Sequence, residues 1–198
     1  MSDIKQEIAA TAARMVVEEG LEYGPAKQRA VKQLGLNRRT ELPDNHELED
    51  QVREYLALFC ADTQPTELAA LRTLAAQWME RLAEFRPHLG GAVWRGTATR
   101  LSNIHLQLFC DDSKSAEIAL INQGLDYEVG SSTAHGREVD VLALSVNCRE
   151  LNEQVLVLLT ILDFDDLRGA LKPDTRGRSE RGDLAALRQL IEKETAQP

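Results

Sequence analysis

The sequence has few of the residues and segments that cross-link a fold or place it in a membrane. It holds 3 cysteines in 198 residues, aromatic residues make up 5%, and no run of about 18 apolar residues occurs. Because the cysteines are odd in number and far apart, neither a disulfide framework nor a paired-cysteine metal site is predicted. We expect Cys60, Cys110 and Cys148 to be buried free thiols. The polar start of the chain, without an apolar signal region, predicts a cytoplasmic protein with no membrane partner.

Motifs of several enzyme classes are missing as well. The chain has no Gly-x-Ser-x-Gly nucleophile elbow, no His-Glu-x-x-His zinc motif and no Gly-x-x-x-x-Gly-Lys-Ser/Thr phosphate loop. Basic residues are also in deficit, with 23 Lys and Arg against 32 Asp and Glu. Nucleic acid is therefore not an expected partner, because binding to phosphates needs clustered positive charge. We interpret the basic segment 27–39 as a solvated helix face.

The hydrophobic pattern divides the chain near Pro87. Before it, apolar residues recur at helical spacing, which predicts four helices over residues 3–19, 25–34, 47–60 and 66–85. After it, alternating and β-branched segments predict strands over 103–110, 139–146 and 154–164, a helix over 113–123, and a last helix capped by Asp183. The glycine- and serine-rich stretch 130–136 is interpreted as a hairpin loop. The predicted class is α+β, with a helical region 1–86 and an α/β domain 87–198 containing a mixed sheet with flanking helices.

One segment carries a recognisable arrangement of small residues and strand residues. Gly91 to Leu106 reads Gly-Ala-Val-Trp-Arg-Gly-Thr-Ala-Thr-Arg-Leu-Ser-Asn-Ile-His-Leu. It resembles the signature of the DNA polymerase β-type nucleotidyltransferase superfamily, in which a glycine step after a helix and a second small-residue step precede a strand reading Ser-Asp-hydrophobic-Asp-hydrophobic. Gly91, Gly96 and Ser102 fall at matching positions, and Gly90 with Gly91 forms the glycine pair.

The resemblance implies a nucleotide site. Glycines let the backbone approach a triphosphate and offer N–H groups to it. By this resemblance Gly90, Gly91, Gly96 and Ser102 would face the phosphates, and Arg95 would add a charge-assisted contact. In the superfamily, two strand carboxylates and a third from a neighbouring strand hold paired Mg²⁺ ions. Asp140 has the setting of that third acid.

The two strand acids are replaced by Asn103 and His105, which departs from the superfamily pattern. Mg²⁺ prefers charged oxygen ligands, so its binding would be weakened. We therefore expect a degenerate, catalytically impaired nucleotidyltransferase-like protein, in which Asn103, His105 and Asp140 converge on the former metal site beside Gly91. A glycine-rich turn before an edge strand, with Asn103 and His105 facing solvent, is the alternative interpretation of the same residues.

Two further functional hypotheses remain open from the sequence. One is an active nucleotidyltransferase with a rearranged acid set, Asp140 with Asp111 or Asp112. The other is a non-enzymatic regulatory protein whose helical N-terminal region binds a protein partner or forms a homodimer. More loosely, the chain resembles small uncharacterised proteobacterial proteins that share a segment like Tyr23–Lys27, Tyr-Gly-Pro-Ala-Lys, some of them labelled muramate–alanine ligase. The absent ATP loop and the short length argue against that ligase activity.

Overall fold

The computed structural model describes residues 3–196, which form seven α-helices and one five-stranded mixed sheet. The helices are α1 (Asp3–Glu19), α2 (Tyr23–Gln33), α3 (Asn45–Phe59), α4 (Gln64–Arg81), α5 (Gly91–Arg95), α6 (Ser115–Asn122) and α7 (Leu184–Thr195). The strands are β1 (His88–Gly90), β2 (Ile104–Cys110), β3 (Glu128–Ala134), β4 (Arg137–Cys148) and β5 (Glu153–Asp163). The predicted α+β class is confirmed. No helix within residues 3–196 is both long enough and apolar enough to cross a membrane.

The first of two compact units is helical. It contains the described residues up to Glu67 together with Thr97–Leu101. Its core consists of the apolar stripes of α1, α2 and α3, which pack on one another. A capping box begins α3: the Asp44 carboxylate accepts the Glu47 N–H at 2.8 Å, and the Glu47 carboxylate accepts the Asp44 N–H at 2.8 Å. These reciprocal bonds satisfy backbone donors that a helix start leaves without partners.

The second unit contains Leu68–Gly96 and the described residues from Ser102 onward, and it holds the sheet. The strand order is β1-β2-β5-β4-β3. Strands β2 and β5 are parallel, and the other neighbouring pairs are antiparallel. The hypothesis of a domain boundary near Pro87 stays a prediction, because a compact unit is not by itself a domain that folds alone.

The sheet has two chemically different faces. Side chains alternate along a strand, so residues two apart share a face, and residues directly opposed on neighbouring strands share one as well. Ile104, Leu106 and Leu108 lie on a face that is fully buried, which we call the buried face. His105 and Gln107 lie on the opposite side and are half-buried. We call this side the His105 face.

The His105 face is covered at one end only. Phe109 and Leu162 oppose one another on β2 and β5 and pack in a small apolar cluster with Val139 and Ala170. This cluster places the chain after β5 over that end of the sheet. Near the other end, Leu158 is half-buried and Leu156 is 39% exposed. The open end is therefore accessible to a ligand.

Three local predictions need correction. The stretch interpreted as a hairpin loop forms strand β3, which pairs with β4 over its whole length, and the turn itself is His135–Gly136. Glycine and serine are poor strand formers, but pairing with the long strand β4 overrides that preference. The fourth helix ends at Arg81 instead of Phe85, and a 3-10 turn at Ala83–Phe85 replaces its last part. The segment after Gly90, predicted only as short and apolar, is the one-turn helix α5.

Candidate ligand-binding site

The glycine pair lies at the junction of β1 and α5. Gly91 has φ +68°, and a Cβ there would lie 3.1 Å from Cδ2 of His105. Both the backbone conformation and the close histidine ring require a glycine at this position. Gly90 is different, because a Cβ there would meet only the carbonyl oxygen of Glu180, at 3.7 Å. Of the pair, Gly91 alone has a steric reason to be glycine.

The second glycine step, Gly96, ends α5. Its φ is +84°, and its N–H donates to the carbonyl of Ala92 at 2.9 Å. The guanidinium of Arg72, a side chain that is 2% exposed, lies beside it. Nε of Arg72 donates to the Val93 carbonyl at 2.9 Å, and Nη2 donates to the Trp94 carbonyl at 3.0 Å. The last carbonyl groups of a helix have no intrahelical partners. The Arg72 guanidinium satisfies two of them, and Gly96 ends the helix.

The chain before α7 covers the free edge of β1. Leu89 and Gly182 exchange two backbone hydrogen bonds, of 2.8 and 3.0 Å. The indole N–H of Trp94 donates to the carbonyl of Ser179 at 2.8 Å, and the ring of Trp94 occupies the space where a Cβ of Gly182 would be. Trp94 therefore acts as a packing residue that fixes residues 179–182 against β1.

The structure does not bring Asp140 together with His105. His105 opposes Leu158 on β5, and Leu158 opposes Ala143 on β4. Asp140 is three residues from Ala143, so its side chain is on the opposite side of the sheet. Strand β5 also separates β2 from β4. The expected convergence of Asn103, His105 and Asp140 beside Gly91 is wrong in this respect, although Asn103 lies immediately before β2, close to His105 in the chain.

The remaining predicted site residues are spread around α5 and β2. Arg95 is the last residue of α5, and Ser102 lies just before β2; both are half-buried. Asp111 and Asp112 follow β2 and are exposed. Among residues 3–196, no group of three or more His, Cys, Asp or Glu side chains is arranged to hold a metal ion. The predicted roles of these residues in nucleotide or metal binding stay predictions.

A cavity of about 370 Å³ opens on the His105 face. It is lined by His105 of β2 and by residues of β3, β4 and β5, namely Glu128, Val129, Gly130, Ser131, Ser132, Val141, Ala143, Leu158 and Thr160. His105 is the only residue of the predicted site in that lining. The cavity combines apolar side chains with the imidazole of His105 and the hydroxyl group of Thr160, which is the composition of a small-molecule site.

A cation lies at the β1 side of the same face. Gln107 follows His105 on β2 with its side chain on the same face, and it opposes Thr160 on β5. The guanidinium Nη1 of Arg181 donates to Oε1 of Gln107. A guanidinium has five N–H donors, so Arg181 keeps donors for an anionic group beside Gln107.

Two of the cysteine thiols, Cys60 and Cys110, have a pKa raised above the ordinary value. Burial raises the pKa of Cys110 to about 11, and the neighbouring carboxylate of Asp111 adds to the rise. Burial also raises the pKa of Cys60. Cys110 and Cys148 are buried free thiols as predicted, whereas Cys60 is only half-buried. A thiol needs a lowered pKa to react readily near neutral pH, so none of this supports thiol catalysis.

Sequence reasoning missed the role of Arg72, the contact between Gln107 and Arg181, and the burial of His88. Arg72 lies within an otherwise apolar helical pattern, and a charged residue at a core position is a signal that a partner must satisfy it. Gln107 and Arg181 are far apart in sequence, and nothing local predicts that they meet. A single histidine next to Pro87 predicts a solvent-exposed loop residue, but His88 begins β1 and is 6% exposed.

Comparisons of the chain with protein-family models, with curated proteins and with solved structures each returned no match. The resemblance to nucleotidyltransferases therefore rests on the residues of this chain alone.

Proposed function

We propose that this protein binds a nucleotide in the cavity on the His105 face, without metal-dependent nucleotidyl transfer, and that it acts in the cytoplasm. The observation that carries the proposal is the cavity beside His105, whose lining residue Thr160 opposes the Gln107 that binds Arg181, while Asp140 is on the other side of the sheet. It is a degenerate nucleotidyltransferase-like arrangement in which the glycine step and the strand remain but the acids do not.

The dimensions and chemistry of the cavity suit a nucleoside. Its volume of about 370 Å³ lies at the lower end of the range of small-molecule sites, about 300–1,000 Å³. Leu158, Val141 and Ala143 offer an apolar surface for a base, and Thr160 and His105 offer polar contacts. The Arg181 guanidinium is a suitable partner for a phosphate.

The charge of this face argues against two-metal chemistry. On β2, β5 and β4, the side chains nearest His105 on its face are Gln107, Leu158, Thr160 and Ala143, all uncharged. Glu128 is a single carboxylate on β3, three strands from His105. Two Mg²⁺ ions need several carboxylates in direct contact. A ligand on this face would thus bind through hydrogen bonds and the guanidinium.

The first test measures melting temperature with ATP, CTP, GTP and UTP, each with Mg²⁺, Mn²⁺ or EDTA. Ligand at 100 times its dissociation constant should stabilise the protein by about 2.7 kcal/mol, which raises the melting temperature by roughly 5–10 °C. We expect the same rise with metal and with EDTA. Thr160→Val, which replaces a hydroxyl by a methyl of similar size, should weaken binding by about 5-fold to 10-fold.

The matched variant is Asp140→Asn. Because Asp140 is on the other side of the sheet, we expect unchanged nucleotide affinity. If the protein is instead an active enzyme in which Asp140 acts with Asp111 or Asp112, it should transfer labelled nucleotide. Asp140→Asn should then abolish that transfer. The binding proposal fails if no nucleotide shifts the melting temperature, or if every shift requires Mg²⁺ and the Asp140 carboxylate.

A second function, self-association, is favoured by the edge strand β3. All its residues except Ala134 are exposed, and it contains no Lys, Pro or bulge. Proteins usually protect an exposed edge by such features, since free N–H and C=O groups pair readily with another strand. Val129 on this strand is 59% exposed, and Ile118 and Ile121 on α6 are 53% and 61% exposed. We propose that a second copy of the chain pairs with β3 to form a homodimer.

Light scattering over a concentration series tests this second function. Val129→Lys places a charge on the edge strand, and we expect it to convert a dimer into a monomer with little change in stability, because the side chain is exposed. The matched variant is Leu58→Lys in α3 of the helical unit, a residue that is 70% exposed. Dissociation by Leu58→Lys instead would move the interface to the helical unit. A wild-type monomer at high concentration would rule out both interfaces.

A further inference from the structure

His88, the first residue of β1, is a buried histidine with only one of its ring nitrogens occupied. It opposes Gln107 on β2, so its side chain is on the His105 face. The residue is 6% exposed. Its Nδ1 lies 2.9 Å from the carbonyl oxygen of Arg86. Because a carbonyl oxygen can only accept, Nδ1 is the donor in this contact, so in a ring that carries one proton Nε2 is an acceptor.

Nε2 of His88 has no hydrogen-bond partner in the described part of the chain. The ring itself is fixed: it packs edge-to-face on Phe109, with 5.2 Å between the ring centroids and an interplanar angle of 83°. Phe109 is fully buried. Nε2 is not one of the fully buried polar atoms that lack a partner, so it is accessible to a donor from water or from a ligand in the cleft.

His88 lines a cleft of about 660 Å³. The other lining residues come from the chain between β5 and α7, namely Leu167, Gly169, Leu171, Lys172, Pro173 and Asp183. This lining is mostly apolar, and it differs from that of the cavity beside His105 in every residue. The cleft is therefore a separate site from the proposed nucleotide cavity.

Two charged side chains, Asp183 and Lys172, line the cleft, and they differ in whether they are available to a ligand. The Asp183 carboxylate accepts the N–H of Ala186 at 2.9 Å and caps α7. The ammonium group of Lys172 has no ion-pair partner among residues 3–196. Lys172 is thus the group that can receive a ligand anion, while His88 can receive a ligand hydrogen-bond donor.

We infer that this cleft binds a small carboxylic acid with an apolar body and a hydroxyl group distant from the carboxylate. The carboxylate pairs with Lys172, the body contacts Leu167, Leu171 and Pro173, and the hydroxyl donates to Nε2 of His88. The site is independent of the proposed nucleotide binding and requires no metal.

The test compares two probes that differ by one hydroxyl group, 4-hydroxyphenylacetate and phenylacetate, by titration calorimetry on the full chain. We expect the hydroxylated acid to bind about 10-fold more tightly, as one hydrogen bond to the fixed Nε2 acceptor would give. His88→Asn keeps a donor near the position of Nδ1 for the Arg86 carbonyl but removes the Nε2 acceptor. In that variant we expect the ratio of the two affinities to fall to about 1. Lys172→Gln should weaken both acids equally.

A second readout does not depend on any variant folding. In the wild-type protein, the Nε2 resonance of His88 in ¹⁵N NMR should move with 4-hydroxyphenylacetate and stay in place with phenylacetate. Thr160→Val, which tests the nucleotide cavity, should leave both acids unaffected, so the two proposals can fail separately. The inference is overturned if the wild-type protein binds neither acid, if it does not prefer the hydroxylated one, or if a folded His88→Asn protein keeps that preference.

Discussion

Replacing Arg72 by Met should lower the free energy of unfolding by about 3–5 kcal/mol, the largest effect we expect from a single substitution in this chain. Arg72 is 2% exposed, and its guanidinium donates to the carbonyls of Val93 and Trp94 and pairs with Glu194 of α7. Methionine fills a similar volume but has no hydrogen-bond donor. Two buried carbonyl groups at the end of α5 therefore lose their donors. Thermal and urea denaturation followed by circular dichroism measure the loss.

The matched control is Arg188→Met. Arg188 also joins α7 to α4, through Glu80, but both side chains are about half exposed, at 55% and 52%. An exposed ion pair contributes less than about 1 kcal/mol, so this variant should unfold almost like the wild-type protein. Equal stability of the two variants would mean that the α5 carbonyls are solvated and that burial of Arg72 contributes little.

Gly182→Ala should destabilise the protein by about 3 kcal/mol, at the upper end of what overpacking costs. A Cβ at this position would lie 2.2 Å from Cη2 of Trp94 and 2.4 Å from Cζ3. The indole cannot move away without breaking its hydrogen bond to Ser179. We therefore expect residues 179–182 to detach from β1, which lowers the melting temperature and shifts the tryptophan fluorescence to longer wavelength.

Gly90→Ala is the control for this second prediction. Gly90 lies on β1 next to the same segment, has φ −126°, and would place its Cβ 3.7 Å from the nearest atom, the carbonyl oxygen of Glu180. Ordinary contact and an extended backbone should make this change nearly neutral. If Gly182→Ala melts like Gly90→Ala, the packing of Trp94 on Gly182 is looser than the structure describes.

The local structure was largely predictable from the sequence. Helical spacing of apolar residues predicted α1 to α3, and the predicted cap of α7 by Asp183 is confirmed by the hydrogen bond from Ala186. Alternation predicted β2 and the separation of His105 from Ile104 on opposite faces. The error at β3 has a simple cause: the stretch around Gly130 and Ser131 has the composition of a turn, and only its pairing with β4 makes it a strand.

The candidate site was predictable only in part. The glycines from Gly91 onward predicted a backbone that a triphosphate approaches, and the structure instead places the His105 ring against Gly91. The partner of His105 across the sheet was not predictable, since the sequence does not tell that β5 lies between β2 and β4. A shift of three residues along β4, from Ala143 to Asp140, changes the face on which the acid lies.

By itself the sequence determined the fold class, the approximate positions of most helices and the face of β2 that is buried, because these depend on residue spacing within one element. It also determined that Asn103 and His105 stand where the resembled signature has acids. Only the tertiary structure decided that Asp140 is remote from His105, that Arg72 ends α5, and that His88 lines a cleft. These facts depend on strand order and on contacts between residues far apart in the chain. Such contacts form only when the helices and strands pack together.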